Sequence, residues 1–238
     1  LGDAEELWEN DNFDQIYITH TPVYDLLAKF HDPDPEKTRY IKVWGNHDLY
    51  WKDHQDIYQS LLPGIQIYEA ILLNNSILMI HGHQADPMCS GPVAAVSQFF
   101  VNHIWADLQR GGVKDPTRAA TNPGLSNEVD ERLHKWATNN DRGITSIIAG
   151  HTHRAVFENL SLTEMRLQAI KFKAEDVSNV QDRRDPRYYN TGSCVHPMSV
   201  TGLEILYDSK LRFKLIEWQC AAKGKVIGIE RDALSNEN

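Results

Sequence analysis

Cysteine is nearly missing from this chain: Cys89, Cys194 and Cys220 are the only three in 238 residues. Odd in number and widely spaced, they exclude a disulfide framework and a zinc ribbon, and they fit a reducing, cytoplasmic setting. Long apolar runs are missing too. None approaches the roughly 20 residues that a membrane-spanning helix needs, so no membrane span is expected. Basic residues are in the minority, with 24 Lys and Arg against 33 Asp and Glu and a net charge of −9. That balance argues against a surface built to follow a nucleic-acid backbone, although bound divalent cations would reverse the sign locally. There is no initiator Met and no signal peptide, and Leu1-Gly2-Asp3 reads like the end of a strand. A segment upstream is therefore expected, and targeting is not readable from what is given. Internal repeats and low-complexity tracts are absent as well.

What is present has the balance of a folded globular protein, with 41% hydrophobic and 24% charged residues. The length suits one α/β domain carrying an insertion. One event recurs along it: an apolar, β-type run stops at a small cluster of metal-competent side chains. Tyr40–Trp44 runs into Gly45-Asn46-His47-Asp48, Ser76–Ile80 into His81-Gly82-His83, and Ile144–Ala149 into Gly150-His151-Thr152-His153. Leu1-Gly2-Asp3 fits the same pattern without its strand. Short β-branched runs bounded by turn residues predict buried strands. In open α/β sheets ligands gather at the carboxyl ends of strands, so these clusters should converge, with glycines allowing sharp turns beside a metal.

Helical periods lie between the strands. Residues 22–30 place Val23, Leu26, Leu27 and Phe30 on one face and end at the breaker run His31-Asp32-Pro33-Asp34-Pro35. Residues 92–108 carry the stripe Val93, Val96, Phe100, Ile104 and Leu108, best read as packing, and 128–137 form a further helix. With their polar link, 110–127, they make an insertion over 86–142. Beyond the fourth cluster, strands are predicted at 166–172, 187–190, 200–207 and 211–218.

Imidazole and carboxylate together suit borderline divalent ions such as Mn, Fe or Zn. A pair of such ions generates hydroxide near neutral pH and clamps the attacking and leaving oxygens of an in-line displacement. It needs a bridging carboxylate, which Asp3 is placed to supply. A neutral Asn fixes geometry without adding charge, and a nearby His that binds no metal can protonate the leaving oxygen.

In their order, Gly2-Asp3-Ala4-Glu5-Glu6, Gly45-Asn46-His47-Asp48, His81-Gly82-His83 and Gly150-His151-Thr152-His153 resemble the motifs of calcineurin-like metallophosphoesterases, and Asn190-Thr191-Gly192-Ser193 is similar to the strand-turn that follows them. The resemblance spans residues 2 to 193. It implies an α/β fold, a four-layer αββα sandwich of two packed mixed sheets, with the helical insertion 86–142 near the active site. It implies two divalent metal ions, Mn favoured over Fe or Zn. Asp3 would bridge them, Asn46, His81 and His151 would complete one, and His153 would bind the other beside a D-x-H motif. That motif is absent, so the single domain 1–238 is expected to lack its first strand and roughly 30 or more preceding residues. The implied reaction is hydrolysis of a small phosphorylated substrate, a phosphate ester or pyrophosphate, by a metal-bridging hydroxide, with His47 as general acid. Three alternatives accompany it. The motif order also resembles the pyrophosphatase that cleaves UDP-diacylglucosamine, although that group tends to carry Arg at the place of His47. A nuclease is disfavoured by the charge. A non-catalytic, phosphatase-like binding scaffold is opposed by the retained His47 and ligands.

Other residues carry bland and sharp readings side by side. His20, His31, His54, His103 and His134 are read as structural. His83 either supports the ligands or faces substrate, and His196 could face the site. Trp8 is read as core or pocket wall. Arg154 either holds a substrate phosphate or makes an ordinary salt bridge. Arg110, Lys114 and Arg118, in the insertion link, are either solvated charges or substrate contacts that favour anions.

Overall fold

The computed structural model describes residues 1–10, 12–34, 36–89, 122–139, 143–161, 163–164, 167, 187–195, 198–207, 211–220 and 226–232. Within them the chain is mixed α/β, with four α-helices and three sheets. The order is α1 (Phe13–Thr19), α2 (Thr21–Ala28), β1 (Lys42–Val43), α3 (Gln55–Leu61), β2 (Ile67–Tyr68), β3 (Ala70–Leu73), β4 (Ile77–Ile80), α4 (Pro123–Thr138), β5 (Ser146–Ala149), β6 (Val156–Phe157), β7 (Leu160–Ser161), β8 (Arg187–Asn190), β9 (Ser199–Tyr207), β10 (Leu211–Cys220) and β11 (Val226–Asp232). No helix among the described residues is long and apolar enough to cross a membrane.

The six-stranded sheet runs β3-β4-β5-β8-β6-β7, with β4, β5 and β8 parallel. Its centre shows the period of two that separates the faces of a strand. Ile80, Ile147, Ala149, Val156 and Tyr188 face α4, meeting Val129 and Leu133. Ile77, Ile148, Phe157 and Tyr189 face the other way, onto Phe213 and Leu215 of β10. The antiparallel sheet β11-β10-β9 thus packs against the larger one. With both faces covered, the strands β4 and β5 read as continuous apolar runs rather than alternating ones.

A second core gathers residues between Leu7 and Ile67. Phe13, Tyr24, Trp44, Trp51, Tyr58 and Ile67 surround the two-stranded parallel sheet of β1 and β2. Inside it lies an ion pair. Glu5 is 3% exposed, and its carboxylate takes Lys42 Nζ at 2.6 Å, Trp51 Nε1 at 3.0 Å and the Tyr24 hydroxyl at 3.1 Å. Burying two charges is tolerable only when the remaining lone pairs are filled in this way.

Helix α2 corrects the face expected for it. Val23, Leu26 and Phe30 are exposed, and Tyr24 and Leu27 turn inward. The phenol of Tyr24 reaches buried Glu5, and that hydrogen bond fixes the rotation of the helix against a count of aliphatic residues alone. Predicted strand 187–190 is observed as such, 200–207 and 211–218 extend by one and two residues, and β2, β3, β6, β7 and β11 were not foreseen. The short β2, β6 and β7 offer too few residues for a period to show. In predicted strand 166–172 only Leu167 is described, and it is helical. Within segment 86–142, α4 packs on the six-stranded sheet through Val129 and Leu133. The stripe at 93–108, together with Arg110, Lys114, Arg118 and His196, lies outside the described residues.

Candidate metal centre

The ends of β1, β4 and β5 bring their following residues to one place. Gly2 and Gly45 make this possible: a Cβ on Gly2 would overlap the His81 ring, and one on Gly45 would overlap the Asp3 carboxylate. Asp48, fully buried, ties the two loops by accepting from Asp3 N at 3.1 Å, Ala4 N at 3.0 Å and Gly45 N at 2.5 Å. On the other side, Asn190 Nδ2 donates to Gly150 O at 2.6 Å and to Thr152 Oγ1 at 3.1 Å, and so braces the turn that carries His151 and His153. Asp3, His151 and His153 hold left-handed backbone, with φ of 51°, 64° and 55°. For residues with a Cβ this is strained, and such strain clusters at functional sites.

At the centre stands His81, 2% exposed. Its Nδ1 lies 2.7 Å from the Leu1 carbonyl; a carbonyl only accepts, so Nδ1 carries hydrogen. Nε2 then faces three groups at once: Asp3 Oδ2 at 2.9 Å, Asn46 Oδ1 at 3.2 Å and His151 Nδ1 at 3.2 Å. His151 is oriented from behind, with Nε2 2.7 Å from Asp86 Oδ2. A carboxylate there makes Nε2 the donor and leaves the Nδ1 lone pair toward His81.

The titration directions agree with ligand roles. Burial pushes His151 below the ordinary imidazole value. It lowers His83 to about 3 and His153 to about 4, with the charge of His151 adding to both. Neutral imidazole is the form that binds metal. Burial alone would raise the Asp3 carboxyl, but the charge and hydrogen bond of His81, backed by His47, hold it well below the usual range.

The expected residues divide as follows. Asp3, Asn46, His81 and His151 are brought together. Among the described residues, Asp3–His81–His151 is one of two groups whose ligand atoms all lie within 4.8 Å of one another; the other is Asp86–Cys89–His151. His153 belongs to neither group, although the charges of Asp3 and His81 reach it. His47 sits at the edge: its backbone N–H donates to Asp3 Oδ1 at 2.8 Å, and its Nδ1 lies 2.7 Å from Glu6 Oε2. Trp8, read from sequence as core or pocket wall, stacks on the His47 ring at 4.6 Å between centroids. His83 is buried beside His81 and Trp44, and its Nδ1 has no hydrogen-bond partner among the described residues. Arg154 makes an ion pair with Asp130 and donates to Asn127, both on α4. It also lines, with His153, Ser126, Thr201 and Glu217, a polar cavity of about 350 Å³. A larger, apolar cavity of about 470 Å³ lies between α4 and β4, lined by Leu78, Ile80, Leu133 and Trp136 and by none of the expected ligands.

Asp86 and the bracing carboxylate of Asp48 escaped sequence reasoning. An acidic residue in the turn after a ligand-bearing strand is the only signal Asp86 offers, and loops carry many such residues. No protein-family model, curated protein or solved structure matches the chain.

Proposed function

We propose that this chain is a divalent-metal-dependent hydrolase of phosphate esters or pyrophosphates, related to the calcineurin-like metallophosphoesterases and built on their four-layer scheme. One observation carries the reading. His81 Nε2 meets a carboxylate, an amide oxygen and a second imidazole lone pair within 3.2 Å. A single proton on Nε2 can serve one of those three acceptors; a divalent cation serves all of them. One carboxylate, one amide and two imidazoles suit Mn, Fe or Zn rather than Mg or Ca. Such an ion, when bound, polarises a phosphoryl oxygen and makes water acidic near neutral pH. The packing of β9 and β10 on the larger sheet, with α4 on its far face, supports that scheme.

The chain's own residues divide the work. Asp3, Asn46, His81 and His151 would hold one ion, and Asp3 and His153 would serve a second. His47 stands beside Asp3 without joining the ligand group, its ring held by Glu6 and Trp8. His47 is the imidazole placed to deliver a proton to the leaving oxygen. The polar cavity beside His153 receives the organic part of a small phosphorylated substrate.

Hydrolysis of p-nitrophenyl phosphate and its bis-ester with added Mn²⁺ tests this. Turnover should require the metal, vanish with chelator and vanish in His81→Ala. Mn²⁺-independent turnover would contradict the metal-dependent reading, and no turnover with either ester would leave a binding scaffold as the better one.

A further inference from the structure

His151 has a second set of neighbours on the far side of its ring. Its Nε2 lies 2.7 Å from Asp86 Oδ2, and Cys89 completes a group whose three ligand atoms lie within 4.8 Å of one another. Asp86 is 1% exposed, and Cys89 is half-buried. The two share one turn, in which Cys89 N donates to Asp86 O at 3.1 Å. The spacing Asp-x-x-Cys sets carboxylate and thiol on the same side of that turn, against the imidazole. Carboxylate, imidazole and thiolate together are the donor set of a thiophilic divalent ion. The group around Asp3 has oxygen and nitrogen donors only.

We propose that Asp86, Cys89 and His151 form a second cation site, for a thiophilic divalent ion such as Zn²⁺ or Cd²⁺, and that filling it withdraws His151 from the group around Asp3. The reason is a count of lone pairs. A neutral imidazole has one, which lies either on Nδ1, facing His81, or on Nε2, facing Asp86 and Cys89. An ion held by Asp86 and Cys89 claims Nε2, and the ring then presents N–H, not a lone pair, toward His81. One neutral ring cannot serve both places. The thiol proton leaves to solvent as the ion binds. The site thereby makes a thiophilic metal an antagonist of the oxygen- and nitrogen-bound one. This consequence rests on the function proposed above; the existence of the Asp86–Cys89–His151 site does not.

The test uses the full chain carrying Cys194→Ser and Cys220→Ser, which leaves Cys89 as the only thiol. Cd²⁺ is added while the ultraviolet thiolate-to-cadmium charge-transfer band is followed, and bound Mn²⁺ is followed separately by electron paramagnetic resonance. The band should saturate at one equivalent and be lost on further Cys89→Ser substitution, while Asp86→Asn weakens Cd²⁺ binding by roughly 10–100-fold. Cd²⁺ should release Mn²⁺ from the protein that keeps Cys89 at concentrations that leave the Cys89→Ser protein loaded. No band, or a band that survives Cys89→Ser, overturns the site. Equal Mn²⁺ release from both proteins overturns the antagonism. If Mn²⁺ never binds, the proposed function fails, and the cadmium band still decides the site.

Discussion

The carboxylate of Asp48 accepts the backbone N–H of Asp3 at 3.1 Å across 45 residues of chain. It takes Ala4 N and Gly45 N as well, with Lys42 Nζ at 3.7 Å. Two loops that share no strand are thus fixed to one buried side chain. Asp48→Ala should leave buried donors unsatisfied and cost about 3–5 kcal/mol of stability. Urea unfolding measures the loss, and a cost below about 1 kcal/mol would show that the loops are held by other contacts.

His47 should act in chemistry and not in metal binding. His47→Ala is expected to lower kcat by roughly 10²–10⁴-fold with Mn²⁺ content unchanged. The deficit should shrink for esters whose leaving groups need no proton. A deficit of the same size for good and poor leaving groups would remove the acid role.

Asp86 should matter to the metal without touching it. By holding Nε2 of His151 it keeps the Nδ1 lone pair toward His81. Asp86→Ala should weaken Mn²⁺ binding by roughly 10–100-fold, with Asp86→Asn, which keeps an acceptor, falling between it and the parent. Isothermal titration checks the order, and an unchanged affinity in both variants would contradict it.

The buried imidazoles set a pH dependence for the metal-free protein. His83 and His153 stay neutral in the fold to about 3 and about 4, against 6.5 unfolded. The unfolded chain therefore binds more protons below pH 6.5, and stability falls as pH drops from there toward 4. Each ring contributes at most roughly 1.4 kcal/mol per pH unit. Chemical unfolding in chelator at pH 7.5, 6 and 5 should show the decline, and His83→Gln should flatten it. A stability that holds constant or rises on acidification would contradict the burial of these rings as neutral groups.

The positions of the candidate ligands Asn46, His81 and His151 were legible because each follows a strand, and β4 and β5 are short apolar runs with sharp ends. Asn46, His81 and His151 needed only that the strand ends converge. The partners behind them were not legible. Asp86 and Asp48 act through contacts 65 and 45 residues away, and no local period encodes such a distance. Helix α2 misled for a related reason: Tyr24 turned inward for Glu5, a partner 19 residues distant. The stacking of Trp8 on His47 was likewise a tertiary fact, since nothing at residue 8 announces residue 47.

Asp3, Asn46, His81 and His151 are expected to hold one divalent ion between them. A crystal soaked in Mn²⁺, with anomalous difference density collected near the manganese edge, tests it most directly. A peak should appear enclosed by Asp3 Oδ2, Asn46 Oδ1, His81 Nε2 and His151 Nδ1, and be absent from crystals of His81→Ala. Anomalous density only elsewhere, or none at saturating Mn²⁺ with these four side chains in place, would contradict it.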